Sequence, residues 1–127
     1  MPGALLVLAR GDPDIKLIRS TLRKVGFTVV TVEGALEISK TSSDPLLRLV
    51  VADPATPGFD FAQLLKTLEE TGSCARVLCL GEEGGGDAAS VSKYAKYISG
   101  HLSRPFRRAH LLASILDAME RPLARTA

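Results

Sequence analysis

Residues 49–60 read LVVADPATPGFD, and this stretch decides the fold. An apolar run of strand length, rich in β-branched residues, stops at a carboxylate, Asp53. A loop carrying Pro54, Pro57 and Gly58 follows at once. The run has the continuous apolar character of a buried strand, and it ends on a charge. The neighbouring segments show what kind of sheet would put a charge there.

Outward from this strand, short apolar runs alternate with segments of helical period. ALLVLA (4–9) reads as a first strand. Pro13 can open a helix with Asp12 as its N-cap, and Ile15, Ile18, Leu22 and Val25 give the buried stripe that Gly26 closes. FTVVTV (27–32) is the second strand, with a short helix expected around residues 35–40. LLRLVVA (46–52) is the third strand. Phe61, Leu64, Leu65 and Leu68 mark a helix ending near Gly72. RVLCL (76–80) is the fourth strand, and residues 88–95 are expected to be helical. A fifth strand is placed near residues 99–103, although Gly100 and His101 interrupt it. The last helix is expected from Phe106 to Met119, with Leu111, Leu112, Ile115 and Leu116 buried. Five strands alternating with five helices require crossover connections, hence a parallel sheet covered on both faces. Right-handed crossovers and this size favour a flavodoxin-like, doubly wound sheet of order 2-1-3-4-5, three layers α/β/α.

With 127 residues the chain is sized for one domain, expected over 1–121, followed by a tail (122–127) that reads as the start of a linker to an output domain. Its 46% hydrophobic and 24% charged residues are those of an ordinary globular protein. No apolar run approaches a membrane span. MPGALLVLARGDP is read as a strand rather than a signal peptide, because no basic residue precedes its apolar run. Cys74 and Cys79 lack metal-ligand spacing and are read as reduced thiols in a cytoplasmic protein. Charge is uneven: residues 1–90 hold 9 Lys/Arg against 12 Asp/Glu, and residues 91–127 hold 7 against 2. Lys93, Lys96, Arg104, Arg107 and Arg108 therefore form either a solvated helix face or a basic docking patch. GEEGGGD (81–87) is acidic and matches no nucleotide loop, and His101 and His110 have no nucleophile or metal partner in sequence.

In an open parallel sheet of this order, ligands sit beyond the strand carboxyl ends, between the first and third strands. Arg10, Gly11 and Asp12 lie past the first strand and Asp53 past the third. Gly81 lies past the fourth, and Ser103, Arg104 and Pro105 past the fifth.

These pieces in this order resemble the receiver domain of response regulators in two-component signalling, with its CheY-like fold. The carrying motif is LVVADPATPGFD: an Asp closing the third strand, Pro and Gly four and five residues on, and Asp at seven. ARGDPDI resembles that family's first loop and SRPF its Lys-Pro-Phe loop. The resemblance implies a bacterial phosphorelay domain, not an enzyme, in which Asp53 accepts a phosphoryl group from a histidine kinase. It implies a cis bond before Pro105, and a partner face made of the last helix, the fifth strand and the helix before it.

The resembling pocket differs from this one in its other residues. Arg10 and Gly11 stand where the family has an acidic pair that holds Mg²⁺ with the acceptor Asp. Gly81 stands for Thr or Ser, Arg104 for Lys, and His101 for a switch aromatic. Phosphoryl transfer onto a carboxylate needs concentrated positive charge on the equatorial oxygens, and Mg²⁺ needs hard oxygen ligands. With the acidic pair gone, Asp53 would have only Asp12 as a further ligand, and Asp12 has capping as its simpler role. Arg10 either joins Arg104 in clamping Asp53 or points to solvent. The leading expectation is a pseudo-receiver that works by protein–protein interaction, without Mg²⁺. The alternative is a working phosphoacceptor receiver, with Asp53 phosphorylated by a histidine kinase and Arg10 partly replacing the metal; were Mg²⁺ to bind after all, Asp53 and Asp12 would hold it. A flavodoxin-like cofactor binder would need a phosphate loop after the first strand, where ARGDPD offers one glycine and two carboxylates. Nucleic acid is disfavoured by the small net charge and the lack of a recognition helix or aromatic platform.

Overall fold

The structure is a computed structural model that describes residues 2–32, 46–82 and 98–120. Its elements are β1 (Gly3–Val7), α1 (Ile15–Lys24), β2 (Thr28–Val32), β3 (Leu47–Ala52), α2 (Phe61–Glu70), β4 (Arg76–Glu82), β5 (Gly100–Arg104) and α3 (Arg108–Glu120). The five strands pair in parallel in the order β2-β1-β3-β4-β5. That is the expected topology. The helices expected around 35–40 and 88–95 lie outside the described residues.

Strand parity sorts the apolar residues into two layers. Leu5, Val7, Val50, Ala52, Val77 and Cys79 pack with Phe61, Leu64, Leu65 and Leu68 of α2. Ala4, Leu6, Leu8, Leu49, Val51, Leu78 and Leu80 pack with Ile18 and Leu22 of α1 and Leu111 and Ile115 of α3. Because both faces of β3 are covered, its sequence carries no polar alternation. Each fully buried Leu, Ile or Val contributes about 1.5–3 kcal/mol relative to exposure.

Several boundaries and stripes differ from the sequence reading. In α1 the buried residues are Ile18, Thr21 and Leu22. Val25 is the C-cap and 38% exposed, because the helix has already ended before Gly26 turns the chain at φ 101°. Thr21 tolerates burial by donating its hydroxyl to the Leu17 carbonyl at 2.7 Å. In α3 the buried set is Leu111, Ile115 and Ala118, at helical spacings of four and three. Leu112 and Leu116 sit one residue further round the helix, and Leu116 is 50% exposed. β4 runs on through Gly81, and β5 accommodates both Gly100 and His101. Gly100 passes close to Leu78, and a Cβ there would meet Leu78 Cδ1 at 3.3 Å. A glycine is what lets β5 approach. α2 follows expectation, with Asp60 accepting the Gln63 amide at 3.0 Å as its N-cap.

Candidate functional site

The parallel sheet brings the carboxyl ends of β1, β3 and β5 to one edge, and three acidic residues meet one arginine there. Arg104, the last residue of β5, turns its side chain across the strand ends. Its Nη1 donates to Asp12 Oδ1 at 3.2 Å and its Nη2 to Asp12 Oδ2 at 2.9 Å, a paired two-bond contact. Nη1 also donates to Asp14 Oδ2, and Nη2 to Asp53 Oδ2 at 3.1 Å. Both terminal nitrogens thus donate twice, which matches the planar fork of a guanidinium to carboxylate geometry. The Arg104 and Asp12 side chains are each 11% exposed and that of Asp53 is 17%.

Local backbone bonds hold the acids in place. The Asp53 amide donates to the Val7 carbonyl at 3.1 Å, extending the β1–β3 ladder by one residue. Asp53 Oδ1 accepts the Ala55 amide at 2.9 Å, so one carboxylate oxygen fixes the loop and the other meets Arg104. Asp12 Oδ1 accepts the Asp14 amide at 2.9 Å, a local turn that presents both acids to the same side. Gly11, at φ 79°, makes possible the preceding turn, in which the Asp12 amide donates to the Ala9 carbonyl at 3.1 Å.

Among the described residues, the carboxylates of Asp12, Asp14 and Asp53 share the Arg104 guanidinium at this edge. Burial alone would lower the pKa of Arg104, but the Asp12 hydrogen bond and the charges of Asp12, Asp53 and Asp14 outweigh it, so the value is raised. A contact of opposite charges near 4 Å is worth about 4 kcal/mol at an effective dielectric of roughly 20, before desolvation is subtracted.

These residues as arranged do not fit a divalent metal. Mg²⁺ needs several oxygens aimed at one open point. Here four carboxylate oxygens, from Asp12, Asp14 and Asp53, are aimed at a guanidinium. A doubly charged ion about 4 Å from that group would be repelled by about 8 kcal/mol at an effective dielectric of roughly 20. Among the described residues, no group of three or more His, Cys, Asp or Glu side chains is placed to hold a metal.

Arg104 and Asp53 therefore meet as expected from sequence. Arg10 is exposed and lines a neighbouring cleft of about 310 Å³ with Leu8, Ala9, Thr56 and Pro57. The Thr56 hydroxyl is buried beside that cleft with no hydrogen-bond partner among the described residues. Asp12 is not the helix N-cap. That position belongs to Asp14, whose side chain makes no capping bond because it is directed to Arg104. Asp14 is the site residue that sequence reasoning missed. Its only signal was a second carboxylate two residues after Asp12, in DPD. Gly81 lies within β4, and no atom of the described residues comes within 4 Å of where a side chain would begin. His101 is exposed on β5. The Arg104–Pro105 bond is cis. Of the expected basic patch, Lys93 and Lys96 lie outside the described residues and Arg104 is turned inward. Arg107 and Arg108 are exposed, and Arg108 Nη2 donates to Ser20 Oγ of α1 at 2.9 Å.

No protein-family profile and no curated protein matches the chain. Solved structures do match. A response regulator receiver domain protein of Clostridium thermocellum shares 18% identity at TM-score 0.71, over 95% of this chain and 96% of that one. The chemotaxis response regulator CheY4 of Vibrio cholerae shares 17% at TM-score 0.71, over 93% and 99%. The receiver domain of the sensor histidine kinase PA1611 of Pseudomonas aeruginosa shares 17% at TM-score 0.70, over 94% and 98%, and its structure has a magnesium ion coordinated in the active site cleft. The fold of this chain is the response-regulator receiver fold.

Proposed function

We propose that this chain is a divergent receiver-type domain of two-component signalling that acts by docking protein partners, without Mg²⁺-dependent phosphorylation. The observation that carries the reading is the contact of Arg104 with Asp12, Asp14 and Asp53 together. A phosphoryl group arriving at Asp53 would meet one oxygen held by Arg104 and the other by the Ala55 amide, and the two neighbouring carboxylates would repel it. The fold neighbours, named as response regulators and as a histidine-kinase receiver, support the signalling class.

The docking surface is the exposed side of α3 and β5. Arg107, Arg108 and His110 line its N-terminal end, and Ala109, Ala113 and Leu116 are exposed along α3. That combination suits a partner with an acidic rim and an apolar centre. The partner is a histidine kinase or an output domain. The domain works in the cytoplasm and is not an enzyme. Among the described residues no helix is long and apolar enough to cross a membrane.

A second reading keeps Asp53 as a working phosphoacceptor, favoured by its place directly after β3 and by an oxygen fixed on the Ala55 amide. Incubating the full chain with a small phosphodonor and Mg²⁺, then recording intact mass, separates the two. No mass gain is expected. A stoichiometric phosphoryl gain that disappears in Asp53→Asn decides for the second reading.

A further inference from the structure

We propose that the outer face of α1 is a second docking surface, and that it takes an acidic segment of a partner protein. The inference goes beyond the α3–β5 face described above and does not depend on whether Asp53 takes phosphate.

α1 carries four Lys or Arg and no Asp or Glu. Lys16, Arg19 and Arg23 recur at spacings of three and four, with Ser20 among them, so they form one stripe. Ile18, Thr21 and Leu22 are buried on the opposite side. Lys16, Arg23 and Lys24 are exposed, and none of the four cations of α1 is ion-paired among the described residues. α2 differs, for its Lys66 has Glu70 one turn further on. Like charges three or four residues apart repel on a helix, and Lys16 in the first turn opposes the positive end of the helix dipole. The stripe thus works against the helix that carries it, and an external anion relieves it.

Two of the guanidinium groups are already held in place. Arg19 Nη2 donates to Thr31 Oγ1 at 3.1 Å, and Arg108 of α3 joins the stripe by donating to Ser20 Oγ at 2.9 Å. Hydroxyls fix these forks without neutralising them, and a guanidinium has five N–H donors in all. A fixed planar fork matches a carboxylate. The rest of α1 favours a protein as the source of that carboxylate. Its isoleucines and leucines pack towards the core, so the helix lies flat on the sheet and cannot enter a DNA groove. For the same reason it has no apolar side left to sink into a bilayer.

The probe is a fluorescein-labelled, glutamate-rich peptide, titrated with the full-length chain and followed by fluorescence anisotropy. Wild type is expected to bind it at low ionic strength and to release it as salt is added. Lys16→Gln/Arg23→Gln/Lys24→Gln is expected to bind at least about tenfold more weakly. These three side chains are exposed, so circular dichroism should show the variant folded. Should it not, Lys16→Gln alone decides, with an expected loss of about threefold. Arg19→Lys keeps the charge without the fork and should weaken binding less than the triple variant. Leu116→Gln, on the α3–β5 face, should leave binding unchanged. Equal affinity of wild type and the folded glutamine variant overturns the proposal and leaves α1 a solvated face. Loss of binding in Leu116→Gln alone moves the acidic partner to the α3–β5 face and also overturns it. So does α1-dependent binding of a DNA duplex, or of phosphatidylserine vesicles, that is tighter than binding of the peptide.

Discussion

Arg104 and Asp12 stand 92 residues apart in sequence and join through two parallel hydrogen bonds of 3.2 and 2.9 Å. The pair ties the last strand to the loop after the first one, across the carboxyl edge of the sheet. Asp14 and Asp53 complete the contact, so one side chain ties together the segments that follow β1 and β3 and the end of β5.

Removing that side chain should be costly. Arg104→Met leaves the mostly buried Asp12 and Asp53 and the partly exposed Asp14 without their shared cation, and the expected loss of stability is about 3 kcal/mol. Urea denaturation at neutral pH measures it. A loss below about 0.5 kcal/mol, typical of a surface substitution, would show that the contacts are not held in solution.

The acids should rank by what each one bonds. Asp12→Ala removes two guanidinium bonds and the acceptor of the Asp14 amide, whereas Asp53→Ala removes one guanidinium bond and the acceptor of the Ala55 amide. With charged hydrogen bonds worth about 1.5–3 kcal/mol each, Asp12→Ala should be the more destabilising. A double-mutant cycle of Arg104→Met with Asp12→Ala should give a coupling of about 1–3 kcal/mol. Additive losses would mean that the pair contributes nothing as a pair.

The topology and the two-layered core were legible in the sequence because they depend on period and parity. Leu64, Leu65 and Leu68 repeat as a helix face must, and LVVA can be apolar throughout only where both sides are covered. The interior of the site was half legible. Asp53 and Arg104 each follow directly from a strand end, but Asp14 sits at the start of a helix and carries no pattern that separates a cap from a site residue. What redirects it is the Asx turn on Asp12, a three-dimensional event with no periodic trace. Leu116 misled for a related reason. α3 is apolar on more than one side, so periodicity alone could not say which side the sheet would cover.

Gly81 offers a gain-of-side-chain test. A Cβ there meets nothing within 4 Å among the described residues and the backbone is not in the left-handed region, so Gly81→Thr should fold. Threonine suits a strand better than glycine, and stability should be unchanged or higher by up to about 1 kcal/mol. Phosphodonor treatment of this variant should still leave the intact mass unaltered, because Arg104 continues to hold Asp53. Phosphoryl uptake on restoring the hydroxyl alone would place the block at Gly81 instead.

The buried cysteine predicts an alkaline limit. Burial first, and the charge of Asp53 second, raise the Cys79 thiol from its ordinary 9.0 to about 11. The folded chain therefore keeps this proton where the unfolded chain releases it. The associated stability is complete below pH 9 and is lost as pH climbs towards 11, a change on the order of 2 kcal/mol. Cys79→Ala lacks this loss, so its stability deficit relative to wild type should narrow over that interval. A constant difference would count against the shift. Under native conditions iodoacetamide should label exposed Cys74 well before Cys79.

The position of Arg104 on β5 also bears on how the chain matures. Synthesis delivers Asp12, Asp14 and Asp53 before the strand that carries their shared cation. A chain cut short before Gly100 would therefore lack the guanidinium that these three carboxylates share.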